Sequence, residues 1–202
     1  MSTMSCLLCG VGGQGTVLAS RLIAQTAMRL GYFARTAETI GMAQRGGSVV
    51  SHVRWSRGEV HSPLIPPGEA DVLIGFEPGE AVRCIDYLKP NGFAVVGGSP
   101  IPSVLAALSG ESYEAEPFLA YIRGRVDRLI IIDGARVAEA SGSAKSLNIA
   151  LIGAACGALK FNADDIIVTL KERMTGNILD MNRRAFEIGA SAAARGYGYK
   201  EG

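Results

Sequence analysis

The sequence predicts an α/β fold with three layers, an α/β/α sandwich in which helices cover both faces of a mostly parallel sheet. Strand-like runs alternate with helix-like segments along the chain, and three of these runs are apolar at every position, as expected for strands buried on both faces. These apolar runs are 72–74, 93–96 and 129–132. A length of 202 residues fits one domain, so we predict a single domain over residues 1–202.

Six segments have the composition and length of strands. In the third of them, Val49, Val53 and Trp55 share one face, while His52 and Arg54 share the other. That alternation is typical of an edge or antiparallel strand, and it predicts a surface position for His52. The six predicted strands are Ser5–Cys9, Tyr32–Ala37, Ser48–Trp55, Asp71–Phe76, Phe93–Val96 and Leu129–Ile132.

Six segments between or after the strands have helical patterns. Pro78 suits an early position of the second helix, and Pro90-Asn91-Gly92 is expected to end it. Gly153 and Gly157 lie four residues apart among alanines, which predicts close packing of the fourth helix against a neighbour. The predicted helices are Gln14–Leu30, Pro78–Leu88, Glu116–Arg125, Ser143–Leu159, Asp164–Met174 and Ile178–Arg195.

Two further predictions concern one loop and one buried polar residue. Residues 62–68 contain three prolines, which deny backbone donors, so this segment is predicted as a surface loop available to a partner. Asn148 stands within an apolar helix, and we expect its side chain to bond a loop carbonyl because a buried polar group needs a partner.

Charge and hydropathy exclude several classes of protein. The formal net charge is +1, which gives no reason to expect nucleic-acid or membrane binding. The longest near-apolar run, 147–159, is 13 residues and is shorter than the roughly 18–20 residues needed to cross a bilayer. No signal segment precedes the first strand, so we expect a cytoplasmic protein. The 48% content of hydrophobic residues indicates a buried sheet and a surface covered by another subunit.

Cysteine spacing gives no metal site. Cys6 and Cys9 form C-x-x-C, but residues three apart on one strand point to opposite faces. Cys84 and Cys156 are isolated within helical patterns. We therefore predict no metal site in this chain.

Catalytic patterns are equally absent. His52 and His61 are the only histidines, and neither stands in an acid–nucleophile pattern. Ser48 and Ser51 lack the G-x-S-x-G turn of covalent hydrolases. We therefore predict no catalytic residue.

A glycine-rich turn follows the first strand and opens the first helix. Gly10, Gly12 and Gly15 satisfy G-x-G-x-x-G, the pattern of a Rossmann-like sheet that holds a phosphate at a helix N-terminus. The alternative is a tight turn that serves packing alone. Glu38 follows at a spacing that leaves dinucleotide binding open. The predicted phosphate cradle consists of Gly10, Gly12, Gly13, Gln14, Gly15 and Thr16.

A second glycine-rich motif spans residues 41–48. Its guanidinium, Arg45, is suited to bidentate pairing with a diphosphate or a carboxylate, and its glycines permit close approach to a ligand. The alternative is a solvated loop between two strands. The residues predicted to face a ligand or a partner are Gln44, Arg45, Gly46, Gly47 and Ser48.

Three stretches together resemble one family. They read GVGGQG at 10–15, GMAQRGGS at 41–48 and SPLIPPGEADVLIGFEP at 62–78. The sequence is similar to gamma-type subunits of 2-oxoacid:ferredoxin oxidoreductases, and most of all to the small subunit of the indolepyruvate type. The resemblance runs from about residue 4 to residue 192 and implies a pyruvate/ketoisovalerate ferredoxin oxidoreductase gamma-type domain.

The resemblance implies a supporting subunit. In such complexes a large partner subunit holds thiamine diphosphate and iron–sulfur clusters, ferredoxin accepts electrons, and coenzyme A takes the acyl group. This chain lacks cluster ligands, and Ile132-Asp133-Gly134 lacks the first glycine of a thiamine-diphosphate motif. We therefore expect it to be inactive alone, with coenzyme A at the 10–16 turn or the 41–48 loop and an aryl pyruvate as the complex's substrate.

Two alternatives from other classes remain open at this point. One is an independent Rossmann-type enzyme that binds NAD(P) or another nucleotide, which should carry a base–acid pair. The other is a homodimeric scaffold without a ligand, and a homodimer of the isolated chain is also compatible with the supporting role.

Overall fold

The structure is a computed structural model that describes residues 3–40, 47–101 and 113–195. Within these ranges it contains one six-stranded sheet and seven α-helices. The strands are β1 (Met4–Val11), β2 (Phe33–Ile40), β3 (Ser48–Ser56), β4 (Ala70–Gly75), β5 (Leu88–Gly97) and β6 (Arg128–Ile132). The helices are α1 (Thr16–Arg29), α2 (Pro78–Cys84), α3 (Glu116–Arg123), α4 (Gly134–Ser141), α5 (Leu147–Ala155), α6 (Ala163–Arg173) and α7 (Gly176–Arg195).

The sheet is mixed and mostly parallel, in the order β2-β3-β1-β4-β5-β6. β1, β4, β5 and β6 pair in parallel, whereas β3 is antiparallel to both of its neighbours. The predicted antiparallel character of β3 is confirmed. β3 is not an edge strand, however, because Ser51 pairs with Leu8 on one side and with Glu38 on the other.

Helices cover both faces of the sheet, which confirms the three-layer α/β/α prediction. On one face α1, α5, α6 and α7 bury a large core that includes Leu22, Trp55 and Phe186. On the other face α2 and α3 bury a smaller core around Leu73 and Ile122. The hydrophobic effect therefore stabilises both sides of the central strands.

The four cysteines are free and buried. Cys6 belongs to the larger core and Cys9 to the smaller one, as expected for residues three apart on a strand. Within the described ranges, no group of three histidine, cysteine or acidic side chains is arranged to hold a metal ion. None of the helices described is long and apolar enough to cross a membrane.

The second predicted helix is shorter than expected. It ends at Cys84, a 3-10 turn follows, and Pro90-Asn91-Gly92 lies inside β5 rather than after a helix. The pairing between β4 and β5 shifts register, with Ala70 opposite Leu88 and Val72 opposite Phe93. A proline is tolerated there because an irregular stretch of strand does not need its missing N–H.

The fourth predicted helix also starts late, and one helix was not predicted. A 3-10 turn over Ala144–Ser146 precedes α5. The helix missed is α4, whose N-cap Asp133 accepts hydrogen bonds from the N–H groups of Ala135 and Arg136 at 2.9 and 3.2 Å. The aspartate before it and Gly142 after it, at φ +81°, are the signals that mark such a helix.

Close packing of α5 against a neighbour is confirmed at one of the two predicted glycines. A Cβ at Gly153 would lie 2.3 Å from the carbonyl oxygen of Phe186 in α7, whereas a Cβ at Gly157 would meet no atom within 4 Å. The glycine that faces α5 from the other side is Gly189 of α7. The two helix backbones therefore approach through one glycine on each helix.

Lys160 occupies a left-handed position, with φ 61°. The N–H of Phe161 donates to the Cys156 carbonyl, and the N–H of Lys160 donates to the Gly157 carbonyl. This is the Schellman motif, in which the residue at the position of Lys160 is usually glycine. We expect Lys160→Gly to stabilise the protein by about 0.5–1 kcal/mol, which raises Tm by about 1–4 °C. Thermal unfolding of the purified variant measures the change. Lys160→Ala removes the same side chain but keeps Cβ, so an equal rise in both variants would contradict backbone strain as the cause.

Candidate functional site

The glycine turn lies at the carboxyl edge of the parallel strands, directly after β1. Gly13 and Gly15 have φ values of +103° and +85°, which L side chains rarely adopt. The N–H of Gly12 donates to the carbonyl of Gly47 at 2.8 Å. After β1 the chain continues to β2 on one side of the sheet, whereas after β4 it continues to β5 on the other side. β1 and β4 therefore flank a topological switch point, and such points form ligand-binding crevices.

Gln14 bridges two strands from inside the turn. Its Oε1 accepts the N–H of Val11 at 2.7 Å, and its Nε2 donates to the carbonyl of Phe76, just beyond β4, at 3.0 Å. Gly10 makes room for this side chain, because a Cβ there would lie 2.8 Å from Gln14 Oε1. Gly10 and Gln14 therefore build the turn, whether or not a ligand also touches them.

The N-terminus of α1 has no side-chain cap. Gly15 occupies the N-cap position, no acidic residue lies in the first turn, and the first helical bond runs from Ala19 N–H to the Gly15 carbonyl. The preceding N–H groups of Thr16, Val17 and Leu18 have no acceptor within the helix. These donors and the positive end of the helix dipole favour an anion at this point.

Thr16 adds a hydroxyl group at the same helix end. The residue is 3% exposed, and its Oγ1 has no hydrogen-bond partner among the residues described. Buried hydroxyls in native structures are normally bonded, so this one is suited to an acceptor from outside the chain. In the same turn, a Cβ at Gly13 would meet no atom within 4 Å, which shows open space beside that residue.

Asn148 of α5 lies next to Gly15 of the turn. Its Oδ1 accepts the N–H of Ile149 at 2.8 Å, and its Nδ2 would lie 2.5 Å from a Cβ at Gly15. The expected bond from Asn148 to a loop carbonyl is therefore not formed within the described part of the chain. The amide instead packs against Gly15, so this position excludes a side chain both sterically and by its positive φ.

The structure describes only the end of the second motif. Gly47 accepts the Gly12 N–H, and Ser48 Oγ donates to Glu80 Oε2 at 2.5 Å. Gln44, Arg45 and Gly46 lie outside the described residues. The two glycine motifs, separated in sequence, thus meet at one edge of the sheet.

Two buried carboxylates that were not predicted from the sequence adjoin this edge. Glu77 is 1% exposed and Glu80 is 8% exposed, both at the start of α2. Glu77 accepts the Glu80 N–H at 2.8 Å and the Tyr113 hydroxyl at 3.0 Å. Burial and the neighbouring Glu77 raise the pKa of Tyr113 to about 12, so this hydroxyl remains a donor. An acidic residue before Pro78 is a recognisable N-cap signal.

The predicted surface position of His52 is wrong. His52 is 5% exposed, and its Nδ1 accepts the N–H of Ile65 at 3.1 Å. Burial lowers the pKa of His52, which favours the neutral ring that this bond requires. Ile65 belongs to the proline-containing loop 62–68, which has no regular structure, as predicted, and folds back over β3.

The geometry around Glu38 differs from a dinucleotide site. Such a site takes its acid from the end of the parallel strand beside the first one. Here β3 separates β2 from β1, and Glu38 instead contacts Ser20 at 3.4 Å and Arg21 at 3.8 Å on α1. The acid is therefore engaged with α1.

Comparisons with known proteins agree with one another. The family described as pyruvate ferredoxin/flavodoxin oxidoreductase matches residues 5–192. The indolepyruvate oxidoreductase subunit IorB of Archaeoglobus fulgidus is 37% identical over 197 residues, which are 96% of this chain and 96% of that protein.

Two solved structures share the fold. The gamma subunit of a keto/oxoacid ferredoxin oxidoreductase from Geobacter sulfurreducens gives a TM-score of 0.72 at 20% identity, over 96% of this chain and 98% of that one. The 2-oxoglutarate:ferredoxin oxidoreductase of Magnetococcus marinus, solved with 2-oxoglutarate, coenzyme A and succinyl-CoA, gives a TM-score of 0.75 at 20% identity. That match covers 96% of this chain and 32% of the longer one.

The chain belongs to the pyruvate ferredoxin/flavodoxin oxidoreductase family, because the family match spans nearly all of it. It is a subunit of a 2-oxoacid ferredoxin oxidoreductase, as the sequence resemblance implied. The independent Rossmann-type enzyme that the sequence left open is not supported.

Proposed function

We propose that this subunit binds the phosphates of coenzyme A at the glycine turn and contributes no catalytic group of its own. The observation that carries the proposal is the buried Thr16 hydroxyl, which lacks a partner in the described chain and stands at an uncapped helix N-terminus. An anionic phosphate would accept from that hydroxyl and from the N–H groups of the first helical turn, which have no acceptor within the helix. The coenzyme A bound in the Magnetococcus marinus enzyme supports the choice of ligand.

The turn offers a specific set of donors. Gly13, Gly15 and Thr16 would approach the phosphates most closely, while Gln14 and Gly10 keep the turn in shape. From the second motif, Gly47 is already tied to Gly12. Contacts from Gln44, Arg45 and Gly46 remain part of the proposal on the strength of their residue types, and Ser48 contributes through its bond to Glu80.

The rest of the reaction belongs to the assembled complex. When bound, coenzyme A supplies the thiol that takes up the acyl group. We place thiamine diphosphate and the iron–sulfur clusters in a large partner subunit, ferredoxin as the electron acceptor, and the whole complex in the cytoplasm. Indolepyruvate or a related aryl pyruvate is the proposed substrate, which the name of the Archaeoglobus fulgidus relative supports. The isolated chain is expected to oxidise no 2-oxoacid.

The decisive experiment replaces Gly13 by alanine. The new Cβ would project into open space where the ligand is proposed, so we expect the half-saturating concentration of coenzyme A to rise about tenfold, equivalent to about 1.4 kcal/mol. Acyl-CoA formation by the complex reconstituted with its partner and calorimetric binding of coenzyme A measure the change. The half-saturating concentration of the 2-oxoacid should stay constant.

Gly68→Ala is the matched control. Gly68 also has a positive φ, +75°, and a Cβ there also meets nothing within 4 Å, but it lies in the proline loop and away from the turn. Both variants should lose about 1–2 kcal/mol of stability from backbone strain. Equal coenzyme A dependence in the two variants would refute a ligand role for the turn.

A further inference from the structure

Ser48 and Glu80 form a contact that joins the second glycine motif to α2. Ser48 Oγ donates to Glu80 Oε2 at 2.5 Å, and Glu80 is 8% exposed. A hydroxyl that donates to a carboxylate makes a short, charge-assisted bond, stronger than one between neutral groups. The bond links residues 32 positions apart.

The bond between Ser48 and Glu80 lies directly beside the glycine turn. Ser48 is the first residue of β3 and pairs with Val11, the last residue of β1. The residue before it, Gly47, accepts the N–H of Gly12. A shift of Ser48 would therefore move Gly47 and change the separation between the two glycine motifs.

The first turn of α2 accounts for an acidic residue at Glu80, because a carboxylate there interacts favourably with the helix dipole, but it does not require a bond to Ser48. The helix already has Glu77 as its N-cap and Pro78 in its first turn. Besides Ser48, the polar contact of the Glu80 side chain among the described residues is Arg83 at 3.6 Å, and the Arg83 side chain is largely solvent-exposed. An exposed cation offsets little of the cost of burying a carboxylate. Of the two contacts, only the bond to Ser48 crosses from α2 to the glycine motif.

We infer that Glu80 is a positioning residue, which acts through Ser48 to hold Gly47 and Ser48, the described end of the second glycine motif, beside the first motif at the spacing that the phosphates of coenzyme A require. The inference rests on the proposed function. Glu80 itself does not touch the ligand in this arrangement. Its loss should weaken coenzyme A binding while leaving the 2-oxoacid response unchanged.

The test is a double-mutant cycle in the complex reconstituted with its partner subunit. Glu80→Ala and Ser48→Ala should each raise the half-saturating concentration of coenzyme A about tenfold, as expected for a lost charge-assisted bond. The double variant should show the same effect as either single variant, because both remove one interaction. Direct calorimetric binding of coenzyme A should follow the same pattern.

Conservative variants separate positioning from a general loss of structure. Ser48→Thr keeps the donor and Glu80→Gln keeps an acceptor, so each should restore coenzyme A dependence to within about threefold of the original chain. Glu116→Ala, which removes an exposed ion pair with Arg123 on α3, is the control and should change nothing.

The outcomes distinguish this inference from the function on which it rests. If Gly13→Ala weakens coenzyme A binding but the Glu80 and Ser48 variants do not, or if their effects add, only the positioning role is overturned. If the complex with the original chain binds no coenzyme A, both fail. Non-additive losses with rescue by the conservative variants support both.

Discussion

Gly189→Ala is expected to destabilise the protein by about 3 kcal/mol, near the upper end for an overpacked site. A Cβ at Gly189 would lie 1.8 Å from the carbonyl oxygen of Ala150, whereas ordinary contacts begin at 3.4 Å. The obstructing atoms belong to the backbone of α5, so no side chain can turn aside. The two helices would have to separate and would expose part of the larger core. Thermal unfolding should show a Tm lower by about 6–12 °C.

The destabilisation expected for Gly189→Ala is opposite in sign to the effect of helix propensity. Alanine is favoured over glycine within a helix by about 1 kcal/mol, so a helix without this contact would gain stability from the same change. Gly157→Ala is the matched control, because a Cβ there meets nothing within 4 Å, and it should be neutral or stabilising. A Gly189 variant as stable as the original chain would show that α5 and α7 do not approach as described.

Gln14→Ala is expected to cost about 2–3 kcal/mol of stability. The variant loses two hydrogen bonds and leaves the N–H of Val11 and the carbonyl of Phe76 without their partners, and unsatisfied buried groups cost more than the bond itself contributes. These groups lie at the ends of β1 and β4, so the turn should loosen as well. Denaturant unfolding of the isolated chain measures the stability without any ligand.

Gln25→Ala, on α1, supplies the comparison. The Gln25 side chain also makes two hydrogen bonds, donating to Glu172 and accepting from Arg173, but both are solvent-exposed, so the substitution should cost less than about 0.5 kcal/mol. If Gln14→Ala keeps full stability and only coenzyme A binding weakens, Gln14 serves the ligand rather than the turn. A loss of stability in the isolated chain, measured without ligand, supports the bridging role.

Prediction from the sequence succeeded where the signal is local. The six predicted strands overlap the six observed, because alternation and continuous apolar runs record which faces of a strand are buried. The predicted ends of the helices were less accurate. The second helix ends four residues early, at Cys84, since the strand that follows begins before the proline and glycine that were expected to end the helix. α4 was missed although its caps are visible at Asp133 and Gly142.

Errors about the site arose from contacts between distant residues. The pattern of β3 correctly placed His52 and Val53 on opposite faces of the sheet. It could not show that the loop carrying Ile65 covers the face on which His52 lies. Likewise, Gln14 has the residue type of a ligand-binding amide, and only the position of Phe76 reveals its bridging bonds. The carboxylates of Glu77 and Glu80 carried no motif that would relate them to Ser48 or Tyr113.

By itself the sequence determined the α/β class, the order of the strands along the chain, the glycine turn before α1 and the family. These follow from periodicity and from residues close together in the chain. The tertiary structure alone decided that the two glycine motifs meet, that the Thr16 hydroxyl has no hydrogen-bond partner among the described residues, and that Gly189 must lack a side chain. Each of these depends on how separate elements pack, because a hydrogen bond or a steric contact depends on distances that local sequence patterns do not encode.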